Sequence, residues 1–176
     1  MLKSQDCLLL IKLLANPGKQ WSQRALAKIL HISLSEINGG VERLNNAGLL
    51  RINKKGDLIP NIDAAQEFLI SAVKFFFPVK LGEYTRGTPT SIAAPLFHDK
   101  IAVGDDPIPV WPDAMGEKRG VALMPIHSST SKALRENPDQ IFYEILVLVD
   151  AIRSGRARER NMAITLLKKR LRTNAK

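Results

Sequence analysis

Residues 27–50 read AKILHISLSEINGGVERLNNAGLL, and this stretch decides how the rest of the chain is read. Ser22 caps a helix that reaches about Leu30, with Leu26, Ile29 and Leu30 inward and with Ala25 and Ala27 small. His31, Ile32 and Ser33 form a three-residue turn. A further helix runs from about Ser35 to Ala47, its apolar stripe being Ile37, Val41 and Leu44 at spacings of four and three. Gly48 ends it, because a left-handed cap costs glycine nothing. Leu49 to Asn53 then reads as a strand, Lys54, Lys55, Gly56 and Asp57 as a hairpin turn, and Leu58 to Pro60 as the return strand.

Upstream, Ser4 is positioned to cap a first helix from about Gln5 to Ala15. Leu9, Ile11, Leu13 and Leu14 make it strongly apolar and therefore buried, and Cys7 belongs to the same core. Lys3 ahead of an apolar run faintly resembles a secretory leader, but Lys12 lies inside that run and Asp6 beside it. No targeting segment and a single cysteine point to the cytoplasm. Asn16, Pro17 and Gly18 end the helix.

The order helix, helix, turn, helix, hairpin resembles the winged helix-turn-helix domain of bacterial transcription regulators of the MarR-like type. The likeness covers about the first third of the chain and runs without a gap from Ala27 to Leu50. Ala27 stands where the two helices of the motif cross, Ser33 or Ser35 caps the next helix, Ile37 packs back, Leu44 closes the core, and Gly48, Leu49 and Leu50 lead into the wing. The resemblance implies that the third helix enters the major groove of DNA. Its outward residues are Leu34, Ser35, Glu36, Asn38, Gly39, Glu42 and Arg43. Ser33, Ser35 and Asn38 are then candidates to meet DNA, with Ser35 and Asn38 hydrogen-bonding to base edges. Arg43 would meet a phosphate or guanine, Lys54 and Lys55 at the wing tip the minor groove or backbone, and Arg24 and Lys28 further phosphates. Glu36 and Glu42 lie on or near that face and repel phosphate, and His31 stands where the motif usually has a turn glycine. Gly39 and Gly40 sit mid-helix, which brings the backbone close either to DNA or to another protein helix.

Charge partitions the 176 residues in a similar way. Residues 1–60 hold nine basic and four acidic side chains, 61–152 eight and twelve, and 153–176 nine and one, for a net +9. Basic ends around an acidic middle point to a polyanionic partner or to acidic surfaces docked by the ends. An apolar share of 45% suits a packed core. One cysteine excludes a disulfide scaffold. The best apolar stretches, Phe68 to Val79 and Ile141 to Ile152, are too short and too charged to span a membrane, and no repeat is found.

Eight of the ten prolines lie between Pro78 and Pro138, so loops, strands and short helices are expected there. Before them, Asp63 caps a helix from Ala64 to about Phe77, with Phe68, Leu69, Ala72, Val73 and Phe76 inward. Phe75, Phe76 and Phe77 make it apolar nearly all round, to be covered by the rest of the chain or by a second copy in a homodimer. Thr90 caps a short helix to Ala94, residues 98–120 read as loop, and Gly120 to Ile126 as a buried strand. Ser128 to Asn137 reads as a short helix, Pro138 to Ser154 as a longer one capped by Asn137, and Arg158 to Leu171 as the last. Arg153, Arg156, Arg158 and Arg160 cluster at the final junction and Lys168, Lys169, Arg170 and Arg172 beyond it. These extend a nucleic-acid footprint or bind an acidic partner, unless pairing of Asp150 with Arg153 and of Glu159 with an arginine absorbs some of them.

His98, Asp99, Asp105, Asp106, Asp113, Glu117 and His127 crowd one region without ligand spacing, and no nucleophile or phosphate-cradle motif occurs. No catalysis, metal or cofactor is expected, and nothing in the spacing selects a ligand pocket around Trp111 and Phe97. The expected fold is mainly α with small β elements (α+β): a winged helix-turn-helix over residues 1–62, then a mainly helical C-terminal domain with a short strand region over 63–176 that dimerises, senses or docks a partner. The expected function is a DNA-binding transcriptional regulator, a homodimer on a near-palindromic operator in double-stranded DNA. The alternative is an antitoxin-like or scaffold protein whose winged domain and basic last helix dock a partner protein.

Overall fold

The computed structural model of the chain describes residues 1–101, 104 and 106–174. The fold is α+β, mainly helical, with two small sheets among the described residues. Helix α1, Ser4–Ala15, is buried from Asp6 through Ala15. Its cap is not Ser4, which is already helical. Lys3 holds that place, and its backbone N–H donates to the Asp6 carboxylate at 2.8 Å. Six of its side chains are Leu or Ile, and each contributes about 1.5–3 kcal/mol on leaving water.

Helix α2, Gln23–Leu30, is capped by Ser22, whose Oγ accepts from the Ala25 N–H. His31 takes the left-handed conformation in the turn, φ 53°, and its ring lies 2.9 Å from the Glu136 carboxylate. Histidine thus fills the position of the usual turn glycine. Ser33 caps helix α3, Leu34–Asn46, and Gly48 at φ +72° turns the chain out of it. Strands β1, Leu50–Ile52, and β2, Leu58–Pro60, form an antiparallel hairpin. In its tip the Asn53 carboxamide oxygen accepts from the Lys55 and Asp57 N–H groups, and Gly56 supplies φ +85°.

The expected helix over 64–77 is interrupted. Asn61, not Asp63, caps α4, Ile62–Glu67; a π-helical turn, Phe68–Ala72, follows, and then α5, Val73–Phe76. The wider turn keeps Ala65, Leu69 and Val73 on one buried line at steps of four. Phe76, expected inward, is 52% exposed and Phe75 is 75% exposed.

Strand β3, Leu81–Pro89, was not apparent in the sequence. It pairs antiparallel with both β4, Pro109–Pro112, and β5, Lys118–Leu123, while β4 and β5 pair in parallel and close the sheet on itself. So tight a closure needs bare backbone. A methyl group on Gly87 would sit 2.0 Å from the Trp111 carbonyl oxygen, and one on Gly120 1.9 Å from that of Ile108.

Helices α6, Thr130–Glu136, α7, Gln140–Ser154, and α8, Ala157–Asn174, complete the chain. Asp139 rather than Asn137 caps α7, its Oδ1 accepting from the Phe142 N–H. The Asn137 side chain instead donates to the Ile29 carbonyl on α2. Helix α1 packs against α3, β2, α7 and α8, so one hydrophobic core runs from the first helices through to the last. Among the described residues no helix is long and apolar enough to cross a membrane.

Candidate nucleic-acid interface

On α3, Ile37, Gly40, Val41 and Leu44 are buried, which turns the opposite side of the helix to solvent. Ser35, Asn38 and Glu42 lie exposed there, with Leu34 39% exposed and Ser33 exposed at the cap. The Ser33 hydroxyl accepts from the Glu36 N–H, so its structural duty occupies one of its two lone pairs. Arg24 and Lys28, one turn apart on α2, are exposed, as are Lys54 and Lys55 at the hairpin tip. Among the described residues none of these four cations enters an ion pair.

Arg43 does something else. Its guanidinium donates twice to Asp6, Nε to Oδ2 and Nη2 to Oδ1, each at 2.7 Å. Asp6 is wholly buried. The side chain expected to reach DNA is therefore a tie between α3 and α1. The glycine pair has its explanation in the same tie. A methyl on Gly40 would come within 2.9 Å of an Asp6 carboxylate oxygen, and one on Gly39 within 3.0 Å of Arg43 Nη1. The close approach is to another protein helix. Glu36 accepts from the Gln5 side chain at 3.1 Å, which fixes one of the two carboxylates on this side of α3.

The basic junction also divides. The Arg153 side chain is only 3% exposed; it donates to the Phe77 carbonyl at 2.7 Å and pairs with Asp150 at 2.6 Å. It is a core residue and is withdrawn from any surface role. Asp150 accepts in addition from Thr90 and the Trp111 indole. Burial pushes its carboxyl above the ordinary carboxylate range, and Arg153, Thr90 and Trp111 only partly offset that rise. Glu159 is engaged by the Arg156 backbone N–H rather than by a guanidinium. Arg156, Arg158, Lys168 and Lys169 are exposed, while Arg160 is half-buried.

The loop carboxylates and histidines stay apart. Asp113 pairs with Arg135 at 2.7 Å, His98 meets the Ala93 carbonyl, and His127 bonds Ser129. Burial lowers the His127 pKa, with Glu36 opposing slightly. Asp105 lies outside the described residues. Among the described residues, no three His, Cys, Asp or Glu side chains gather as a metal site would require. A cavity of about 270 Å³ touches Trp111, Asp113, Ser131 and Arg135, but Phe97 is buried in the core away from it.

No family model, curated protein or solved structure matches the chain.

Proposed function

We propose that this protein is a sequence-specific DNA-binding transcriptional regulator, working in the cytoplasm as a homodimer on a near-palindromic operator. One observation carries the reading: Ser35 and Asn38 stand exposed on the outer side of α3, in a region whose cations Arg24 and Lys28 on α2 and Lys54 and Lys55 at the wing tip are exposed as well. Hydroxyl and carboxamide groups match base edges, and exposed cations match phosphates. Exposed Phe75 and Phe76 support a second copy, since aromatic area of that size gains by being covered. A two-fold pair would set two reading helices roughly one DNA turn apart.

A second reading, docking of a partner protein by the winged region as in antitoxin-like or scaffold proteins, has one observation in its favour. Glu42 is exposed and Glu36 lies close by, so this side of α3 carries negative charge beside Asn38.

DNA fragments from the region upstream of the gene, offered at two salt concentrations, separate the two readings. A regulator forms a specific complex with a steep salt slope, and Lys54→Ala with Lys55→Ala flattens that slope by about two. Asn38→Ala weakens specific binding more than nonspecific binding; equal losses would remove its base-reading role. No complex, together with a co-purifying protein, selects the docking reading.

A further inference from the structure

Helix α8 buries Ala163, Leu167 and Leu171 against the protein and turns the other side to solvent. Six residues line that outer side: Arg158, Asn161, Thr165, Lys168, Lys169 and Arg172, all exposed. At 3.6 residues per turn they fall within about 100° of arc, so they form one straight stripe. It carries four positive charges and no negative one. Among the described residues the only ion pair α8 makes is that of Arg170 with Glu144, on a different side of the helix. Lys168 and Arg172 lie one turn apart and repel each other. Among the described residues no carboxylate pairs with the stripe, although residues 61–152 hold twelve of them.

We infer that the outer face of α8 is a second, sequence-independent site for DNA, which takes the phosphate backbone of a duplex. The spacing of charge selects this occupant. Arg158 stands at one end of the stripe and Lys168, Lys169 and Arg172 at the other, with neutral Asn161 and Thr165 between. Arg158 and Lys168 are ten residues apart, about 15 Å along the axis. The major groove is about 12 Å wide, with a phosphate row on either side. A helix laid across it sets its charged ends on the two rows and its neutral middle over the groove. A single strand is a poorer fit, because base stacking needs aromatic side chains and α8 has none. The site is separate from α3 and does not depend on α3 reading bases.

The test uses the full chain and a short random-sequence duplex, with oligo(dT) and polyglutamate as competing probes. The variant Arg158→Gln/Lys168→Gln/Lys169→Gln/Arg172→Gln changes only exposed side chains, and an unchanged melting temperature shows that it folds. Its affinity for the random duplex falls by roughly tenfold or more, and its salt slope drops by about three to four. Lys168→Arg/Lys169→Arg keeps both. The inference is overturned if the quadruple variant binds the duplex like the parent. It is overturned equally if oligo(dT) binds the parent more tightly than duplex, or if polyglutamate displaces the duplex at equal charge, which would point to an acidic protein. If Asn38→Ala and Lys54→Ala/Lys55→Ala change binding neither to upstream fragments nor to the random duplex while the α8 variant weakens both, the reading of α3 falls and this one stands.

Discussion

The Arg43 guanidinium closes a two-pronged ion pair on Asp6, with both contacts at 2.7 Å. Asp6 is wholly buried and also accepts from the Lys3 N–H, so α1 and α3 are locked at a fixed angle by one carboxylate. Removing the guanidinium strands that charge in the core. Arg43→Ala is expected to cost about 3 kcal/mol in urea unfolding, within the usual range for breaking a buried pair. Arg43→Lys recovers only part, because an ammonium cannot make the forked contact. Full stability in Arg43→Ala together with lost DNA binding would return Arg43 to the reading surface.

Helix propensity alone says that alanine at Gly40 gains about 0.5–1 kcal/mol. The structure reverses the sign, since the added methyl meets an Asp6 oxygen that Lys3 and Arg43 hold in place, with Leu9 beside it. Gly40→Ala is expected to lose about 1–2 kcal/mol, as overpacked cores do. Gly39→Ala meets only the far end of Arg43 and should stay within a few tenths of the parent. A stabilised Gly40→Ala protein would show that the two helices are not in contact there.

Asp139 gives the fold an acid limit. Burial alone would raise its carboxyl, but Lys12, the Phe142 N–H and Asn16 together hold it below the ordinary 3.8. The unfolded chain therefore binds the proton more tightly than the folded one. The stabilisation is fully present above the unfolded value and drains away as pH falls through the lower, folded one. Asp139→Asn should cost roughly 2 kcal/mol near neutrality, the scale of hydrogen bonds to a charged group. Denaturation curves taken on acidification should show the gap between parent and variant narrowing below about pH 4. A gap independent of pH would mean that Asp139 is not ionised in its bonded state.

Phe75 and Phe76 are left outside by the π-helical turn. A covered aromatic side chain buries about 150–250 Å², so two on each partner supply a large part of a modest interface. Sedimentation should find the parent dimeric at micromolar concentration and Phe75→Ser/Phe76→Ser monomeric, with circular dichroism showing the monomer still folded. A parent that stays monomeric throughout would remove the palindrome argument.

What the sequence made legible was whatever local chemistry determines. Ser22, Ser33 and Gly48 bound α2 and α3 through contacts three or four residues away, and those helices lie where their caps and stripes put them. The strand β3 was hidden because GEYTRG has no alternation and pairs with residues far along the chain. The place of Phe76 was misjudged because a 3.6-residue period carries it inward, whereas the π turn adds a step. In the candidate interface, the exposure of Ser35 and Asn38 followed from the stripe opposite them. The fate of Arg43 did not, since its partner lies 37 residues away. For Arg153 the pairing with nearby Asp150 was legible, but the bond to the Phe77 carbonyl, 76 residues away, was not. The glycine pair was a visible anomaly whose cause, a carboxylate on α1, sits outside the motif.

Helix α1 is made well before α7 and α8, which cover it. Until then α1, with its six Leu and Ile side chains, lacks part of the packing that buries it. Until α7 and α8 emerge, the nascent segment keeps greasy surface in water, and its packing is completed only together with them. A cell that stalls on this message would accumulate sticky, inactive fragments rather than working half-proteins.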